Sequence, residues 1–359
     1  MTIYQDSKRF VGTAEDREGS SAISGGWKEL ARTTLGSGNT NINVASIPDK
    51  RYYMILRNTL GRGGGHGTNG GYIINNDSGS NYAVSRSGNG GNWADNANFS
   101  DLDLWDANSP QILGVDYMVN KSDVEKLLIG YVNDGNTAGA GNVPMRAKIA
   151  GKWANTSDAI NRIDLDTMNS TTWNSGSEVV VLGWDPDDTH TTNFWEQLGS
   201  SSTVTSNAID VSLSAEKKYL WVQGYLKQGS GTNGSLRMRV GNSSVDTGSN
   251  YVERFSENGG TDDTSRTNQT ALKAVVSDGA GSAIYQIAFN LFIINNASTE
   301  KLIIGHAVHN NGATGAGTWA ARIESVSKWT NTSDQIDVMK FYRTNDTLDS
   351  GLIKVWGSN

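Results

Sequence analysis

Acid–base or metal chemistry in this 359-residue chain would have to come from carboxylates, because it has no cysteine and only four histidines. Aspartates cluster in three places. Asp101, Asp103 and Asp106 sit with Asn108; Asp185, Asp187 and Asp188 form a second group; Asp262 and Asp263 follow the Asn258-Gly259-Gly260 turn. Calcium takes several loop oxygens, so these loops are where a weak calcium site would be sought. The fixed glycine and terminal glutamate of an EF-hand are missing, and turn formation by aspartate is the expected role. Glycoside hydrolysis needs two carboxylates facing each other across a cleft, and nothing marks such a pair. His306 and His309 are three apart, which on a strand puts them on opposite faces, unsuited to one metal. The glycine-rich run Gly61–Gly67 lacks the Gly-Lys-Ser/Thr and helix of a phosphate loop and reads as a loop tip. A Gly-x-Ser-x-Gly elbow leading into a helix is also absent. No catalytic residue, metal ligand or cofactor is therefore expected.

Aromatic side chains are the better candidates for binding, with 11 Trp and 12 Tyr in the chain. Trp93 and Trp105 lie in polar, Asp-rich surroundings. An exposed indole flanked by Asn and Asp can stack on a sugar ring and hydrogen-bond its hydroxyls, so these two are the candidate glycan or interface contacts. Trp27 and Trp195, and Trp153 and Trp329, occupy matched places in two copies of one pattern and are expected to anchor cores.

That duplication organises the chain. KWANTSDAI from Lys152 matches KWTNTSDQI from Lys328 at seven of nine positions. SGSNY ending at Tyr82 matches TGSNY ending at Tyr251; Glu125-Lys126-Leu127 matches Glu300-Lys301-Leu302; Gly139-Ala140-Gly141 matches Gly315-Ala316-Gly317; Arg146 matches Arg322. The spacing drifts only within Gly-, Asn- and Asp-rich stretches, where loops tolerate insertion. The chain reads as an N-terminal arm, 1–26, a first repeat, 27–188, a linker, 189–194, and a second repeat, 195–359.

Each repeat reads as strands. Ile209, Val211 and Leu213 alternate with polar residues, as do Leu236, Met238 and Val240 around Arg237 and Arg239, the period of a sheet with one wet face. Val179–Leu182 and Leu302–Ile304 are continuous apolar runs suited to central strands. With 42 Gly, abundant turn formers and about eight to ten strand-like segments per repeat, the expected fold is all-β. Two tandem homologous β-sandwich domains of jelly-roll-like type would follow the arm. Net charge is -7 without a basic stripe, which argues against nucleic acid as partner. No apolar run reaches the ~20 residues of a membrane helix, and the opening residues lack the apolar core of a secretory signal.

The succession SGSNY, Asn-Gly-Gly, Glu-Lys-Leu, GAG, KWANTSDAI and SGSEVVVLGWD, with KRFVGTAEDR before it, resembles repeats in structural proteins of tailed phages and related environmental viruses. The resemblance spans the whole chain and departs at the close of the second copy, SGLIKVWGSN. It implies a non-enzymatic virion component, in the capsid, its decoration, or the tail or fibre. Partners would be other virion proteins and further copies of the chain, as a homo-oligomer or lattice. The arm would then be a tether burying Tyr4, Phe10 and Val11 against a neighbour. The alternative is a tandem lectin gripping host-surface glycan through Trp93 and Trp105; an endo-acting glycosidase ranks third.

Overall fold

The computed structural model describes residues 4–5, 8–9, 23–24, 26–61, 70–104, 109–168, 171–186, 188–190, 192–229, 236–258, 264–273, 286–310, 315–317, 319–344 and 347–359. Among these there is no helix, and the sheets are antiparallel. The chain divides into two compact units, Met1–Asp134 with Ala147–Glu196, and Gly135–Arg146 with Gln197–Asn359. The sequence repeat assigns residues 135–146 to the first copy; in space they belong with the second unit.

The first unit opens with β1 (Tyr4–Gln5), β2 (Lys8–Arg9), β3 (Ile23–Ser24), β4 (Lys28–Thr34), β5 (Asn41–Ala45) and β6 (Tyr52–Leu60). It continues with β7 (Gly71–Ile74), β8 (Tyr82–Gly88), β9 (Ala94–Phe99), β10 (Leu102–Asp103), β11 (Gln111–Val119) and β12 (Lys126–Asp134). Then come β13 (Met145–Trp153), whose first two residues group with the second unit, β14 (Arg162–Asp166), β15 (Glu178–Trp184) and β16 (Thr189–His190). Eight strands form one sheet, β4-β15-β6-β11-β12-β13-β8-β9, and four another, β10-β7-β14-β5. The expected arm and linker both contribute strand: β1 pairs with β2, and β3 with β16.

The second unit holds β17 (Glu196–Ser201), β18 (Ala208–Ser212), β19 (Tyr219–Gln228), β20 (Leu236–Asn242), β21 (Ser244–Val245) and β22 (Tyr251–Glu257). After these run β23 (Thr264–Gln269), β24 (Gln286–Ile294), β25 (Lys301–His309), β26 (Ala321–Trp329), β27 (Val338–Arg343) and β28 (Leu348–Ser358). Its sheets are ordered β17-β28-β19-β24-β25-β26-β22-β23 and β18-β27-β20-β21. With β17 read for β4, β19 for β6, β24 for β11 and so on, the two eight-stranded orders are the same.

Alternation explains how each unit closes. In β20, Leu236, Met238 and Val240 are buried while Arg237 and Arg239 are half-buried. In β12, Leu128, Gly130 and Val132 point inward. One apolar core per unit draws on both of its sheets: Ile42, Tyr72 and Leu165 meet Ile55, Ile112 and Val181 in the first. In the second, Ile209, Met238 and Phe341 meet Val222, Leu291 and Ile303. Burying each such side chain contributes about 1.5–3 kcal/mol.

The first core also holds a fully buried ion pair. Arg57 Nε donates to Asp116 Oδ2 at 2.8 Å, and the Tyr72 hydroxyl donates to the same oxygen at 2.8 Å. Glycine makes the room: a Cβ at Gly114 would lie 2.5 Å from the guanidinium carbon, and one at Gly130 would lie 2.3 Å from Asp116 Oδ1.

Candidate functional site

A buried anchor, present in each unit, fixes the strands that carry the outer faces of the large sheets. In the first unit the Trp153 indole N–H donates to Asp77 Oδ2 at 2.7 Å. The Asp77 carboxylate also accepts from the Gly79 N–H and the Asn81 amide. The Tyr82 hydroxyl donates to the Asp77 carbonyl and accepts from the Ile74 N–H. Lys126, fully buried, donates to the carbonyls of Val124 and Asn155 and stands 5.5 Å from the Trp153 ring centroid. Burial by itself would raise the Asp77 carboxyl; the Trp153, Gly79 and Asn81 donors outweigh it and hold the group below its ordinary value.

The second unit repeats this arrangement. Trp329 donates to Asp246 at 2.8 Å, Gly248 and Asn250 donate to the same carboxylate, and Tyr251 bridges to Val240. Lys301 donates to the carbonyls of Ala297, Thr299 and Asn331, 5.4 Å from the Trp329 ring centroid. Asn155 and Asn331 each accept from two following backbone N–H groups, which is the turn that the NTSD stretch encodes.

The outer faces themselves differ. On the second unit, residues 135–146 bond to β22, β23, β26 and Glu300, just before β25. Lys328 Nζ donates to the carbonyls of Gly135 and Thr137, Arg254 Nε to that of Pro144, and the Asn268 N–H to that of Ala140. Glu300 accepts from the Gly139 N–H at 2.6 Å, and Arg146 pairs with Glu324 at 3.1 Å. On this face Leu302 and Ile304 are 0% and 2% exposed.

On the first unit the matching residues Leu127 and Ile129 are 55% and 49% exposed. Two hollows meet at Leu127. The first, about 540 Å³, is floored by Ala83, Ala97 and Ala150 and edged by Ser85, Asp95 and Lys152. The second, about 420 Å³, is walled by Trp27, Tyr52, Tyr117 and Trp184. Within it Tyr52 stacks on Trp184 at 5.4 Å, and Trp27 tilts against Tyr117 at 6.4 Å. Next to Tyr52 and Trp184 in sequence, the Arg51 N–H donates to Asp185 at 3.0 Å, and Lys50 pairs with Asp188.

The residues singled out from sequence fall as follows. Trp93 is 49% exposed, with Lys148 Nζ 5.7 Å from its ring centroid, and it lines neither hollow. Trp105, Asp106, Asn108, Asp187, Asp262, Asp263, Phe10, Val11 and the stretch 62–67 lie outside the described residues, as does the Tyr4 side chain. Asp101 and Asp103 are not open loop oxygens: both are buried, Asp103 lies in β10 and pairs with Arg86, and burial raises the Asp101 carboxyl. Asp185 and Asp188 are engaged by Lys50 and Arg51. Among the described residues no group of three His, Asp or Glu could hold a metal ion. Trp153, Trp329 and Trp195 are buried, whereas Trp27 is half-buried and faces the aromatic hollow. Residue type and spacing alone give no site role to Tyr52, Tyr117, Leu127, Ile129 and Trp184, although β12 (KLLIGYVND) is apolar at positions of both parities, which signals a sheet with two apolar faces.

No family model matches the chain, and no curated protein matches it. Among solved structures, the crystal structure of OpdL from Pseudomonas aeruginosa is 8% identical, with 82% of this chain and 99% of that one covered, at a TM-score of 0.12. A score of that size carries no argument about fold or activity.

Proposed function

We propose that this chain is a non-enzymatic structural component of a virus particle, built of two homologous β-sandwich domains and working by association with itself and other virion proteins. The observation that supports it most is the pair of equivalent outer faces, one bearing residues 135–146 and the other leaving Leu127 and Ile129 exposed. Adjacent apolar side chains left exposed on a sheet beside two hollows suit an interaction site. The resemblance to phage structural repeats supplies the setting. Density-gradient fractionation of a lysate of the producing virus tests it: the chain should co-migrate with intact particles and resist salt washing. Recovery only in the soluble fraction would refute the reading.

The aromatic hollow favours a second reading, glycan binding. Tyr52, Trp184, Trp27 and Tyr117 line the hollow with aromatic rings, and Arg51 and Asp185 adjoin Tyr52 and Trp184 in sequence. In this reading the sugar would stack on these rings. Glycan-array binding by the full chain, lost on Trp184→Ala and kept on Trp93→Ala, is the expected outcome; silence on a broad array removes this reading.

A further inference from the structure

We propose that copies of this chain associate head to tail, Gly315–Gly317 and Trp319–Arg322 of one copy seating in the alanine-floored hollow on the first unit of the next. The second unit supplies the pattern for the contact. There residues 135–146 bond to Arg254, Asn268, Glu300, Glu324 and Lys328 on the outer face of the sheet. In the repeat, Gly139-Ala140-Gly141 corresponds to Gly315-Ala316-Gly317, Val143 to Trp319 and Arg146 to Arg322. Gly139 and Gly315 share one unusual backbone conformation, φ +99° and +94°, so the second stretch already has the shape of the first at its matching glycine. Yet Gly315, Ala316 and Gly317 are exposed, and Trp319 is 71% exposed.

The receiving face is likewise present and open. Lys328 and Glu300, which hold residues 135–146, pair at 3.1 Å with side chains 0% and 12% exposed. Their counterparts Lys152 and Glu125 pair at 3.0 Å but are 43% and 39% exposed. Asn268, whose N–H takes the Ala140 carbonyl, has φ +52°; its counterpart Asn98 has φ +58° and is exposed.

Side-chain sizes change in a complementary way. Where the second face has Val252, Arg254 and Val326, the first has Ala83, Ser85 and Ala150, which opens the hollow of about 540 Å³. Where the first stretch carries Val143, the second carries Trp319. A larger plug meets a deeper socket, and a central Trp in a preformed hollow is the usual energetic anchor of an interface. Two contacts are not repeated: Arg254, which donates to the Pro144 carbonyl, is matched by Ser85, and Glu324 is matched by Lys148, while Arg322 keeps Glu324 of its own chain at 3.6 Å. Because plug and socket are different surfaces, the contact is heterologous and propagates into a ring or a filament.

The inference rests on reading the chain as an assembly protein. Sedimentation velocity of the full chain from about 1 to 100 µM tests it, a range in which an anchored interface of this kind is populated. The wild type should form oligomers, and Trp319→Ala and Ala150→Arg should each weaken association at least tenfold. Both positions are exposed, so thermal unfolding should be unchanged; Ala97→Arg serves as a second blocked socket. An equimolar mixture of Trp319→Ala with Ala150→Arg should give a dimer and nothing larger, since only one plug and one socket remain intact. A monomeric wild type, oligomers indifferent to Trp319→Ala, or a mixture that stays monomeric would each overturn the proposal. A monomeric chain still recovered on particles overturns it while leaving the assembly reading intact.

Discussion

Arg57 stands opposite Gly114 across the β6–β11 ladder, and in the second unit the equivalent pair exchanges sizes, Gly224 standing opposite Phe289. A Cβ on Gly224 would lie 2.2 Å from the Phe289 ring, as one on Gly114 would meet Arg57. Asp116, opposite Gly130, corresponds to Leu291, opposite Gly305. One core slot is thus filled by an ion pair in one unit and by phenylalanine and leucine in the other.

The two fillings should not respond alike to mutation. Asp116→Ala strands a buried guanidinium and should cost about 3–5 kcal/mol. Replacing the set together, Arg57→Gly with Gly114→Phe and Asp116→Leu, should restore most of that loss. Urea unfolding of the full chain measures both; a triple variant no more stable than Asp116→Ala would show that the slots are not interchangeable.

Acid should weaken the anchors. Asp77 and Asp246 are held below their ordinary pKa by indole, amide and backbone donors. Their contribution is complete above the unfolded carboxyl value near 4 and is lost as pH falls through the lower folded value. Asp77→Asn with Asp246→Asn should flatten the acid limb of stability against pH, and Asp77→Ala should cost about 1–3 kcal/mol at neutral pH. An acid limb identical to wild type would contradict this assignment.

Matched substitutions on the outer faces should part company. Leu127→Asp and Ile129→Asp place a charge at exposed positions and should shift stability by no more than about 0.5 kcal/mol. Leu302→Asp or Ile304→Asp buries one and should cost about 3 kcal/mol or more. Thermal unfolding of the four variants decides it, and equal losses in both units would contradict the exposure difference.

Much of this architecture is legible in residue order. Alternation in Leu236–Val240 marks a one-sided strand, and the paired SGSNY/TGSNY and KWxNTSD stretches bring Tyr, Trp and the Asn turn together twice. Asp77 and Asp246 are harder to see, because an aspartate two residues before glycine looks like any turn former until Trp153 and Trp329 arrive from strands far along the chain. Exposure at Leu127 and Leu302 is not encoded locally at all. Both are leucines after the same Glu-Lys pair, and what separates them is where residues 135–146 pack. Trp27 and Trp195 part in the same way: one type in one motif position, half-buried in one copy and buried in the other.

The central claim, that this chain works by building a particle, is tested most directly by quantitative mass spectrometry of purified virus. It should be found at a fixed copy number relative to the main shell protein, the same from one preparation to the next. Trace amounts that vary between preparations and vanish on further purification would contradict it.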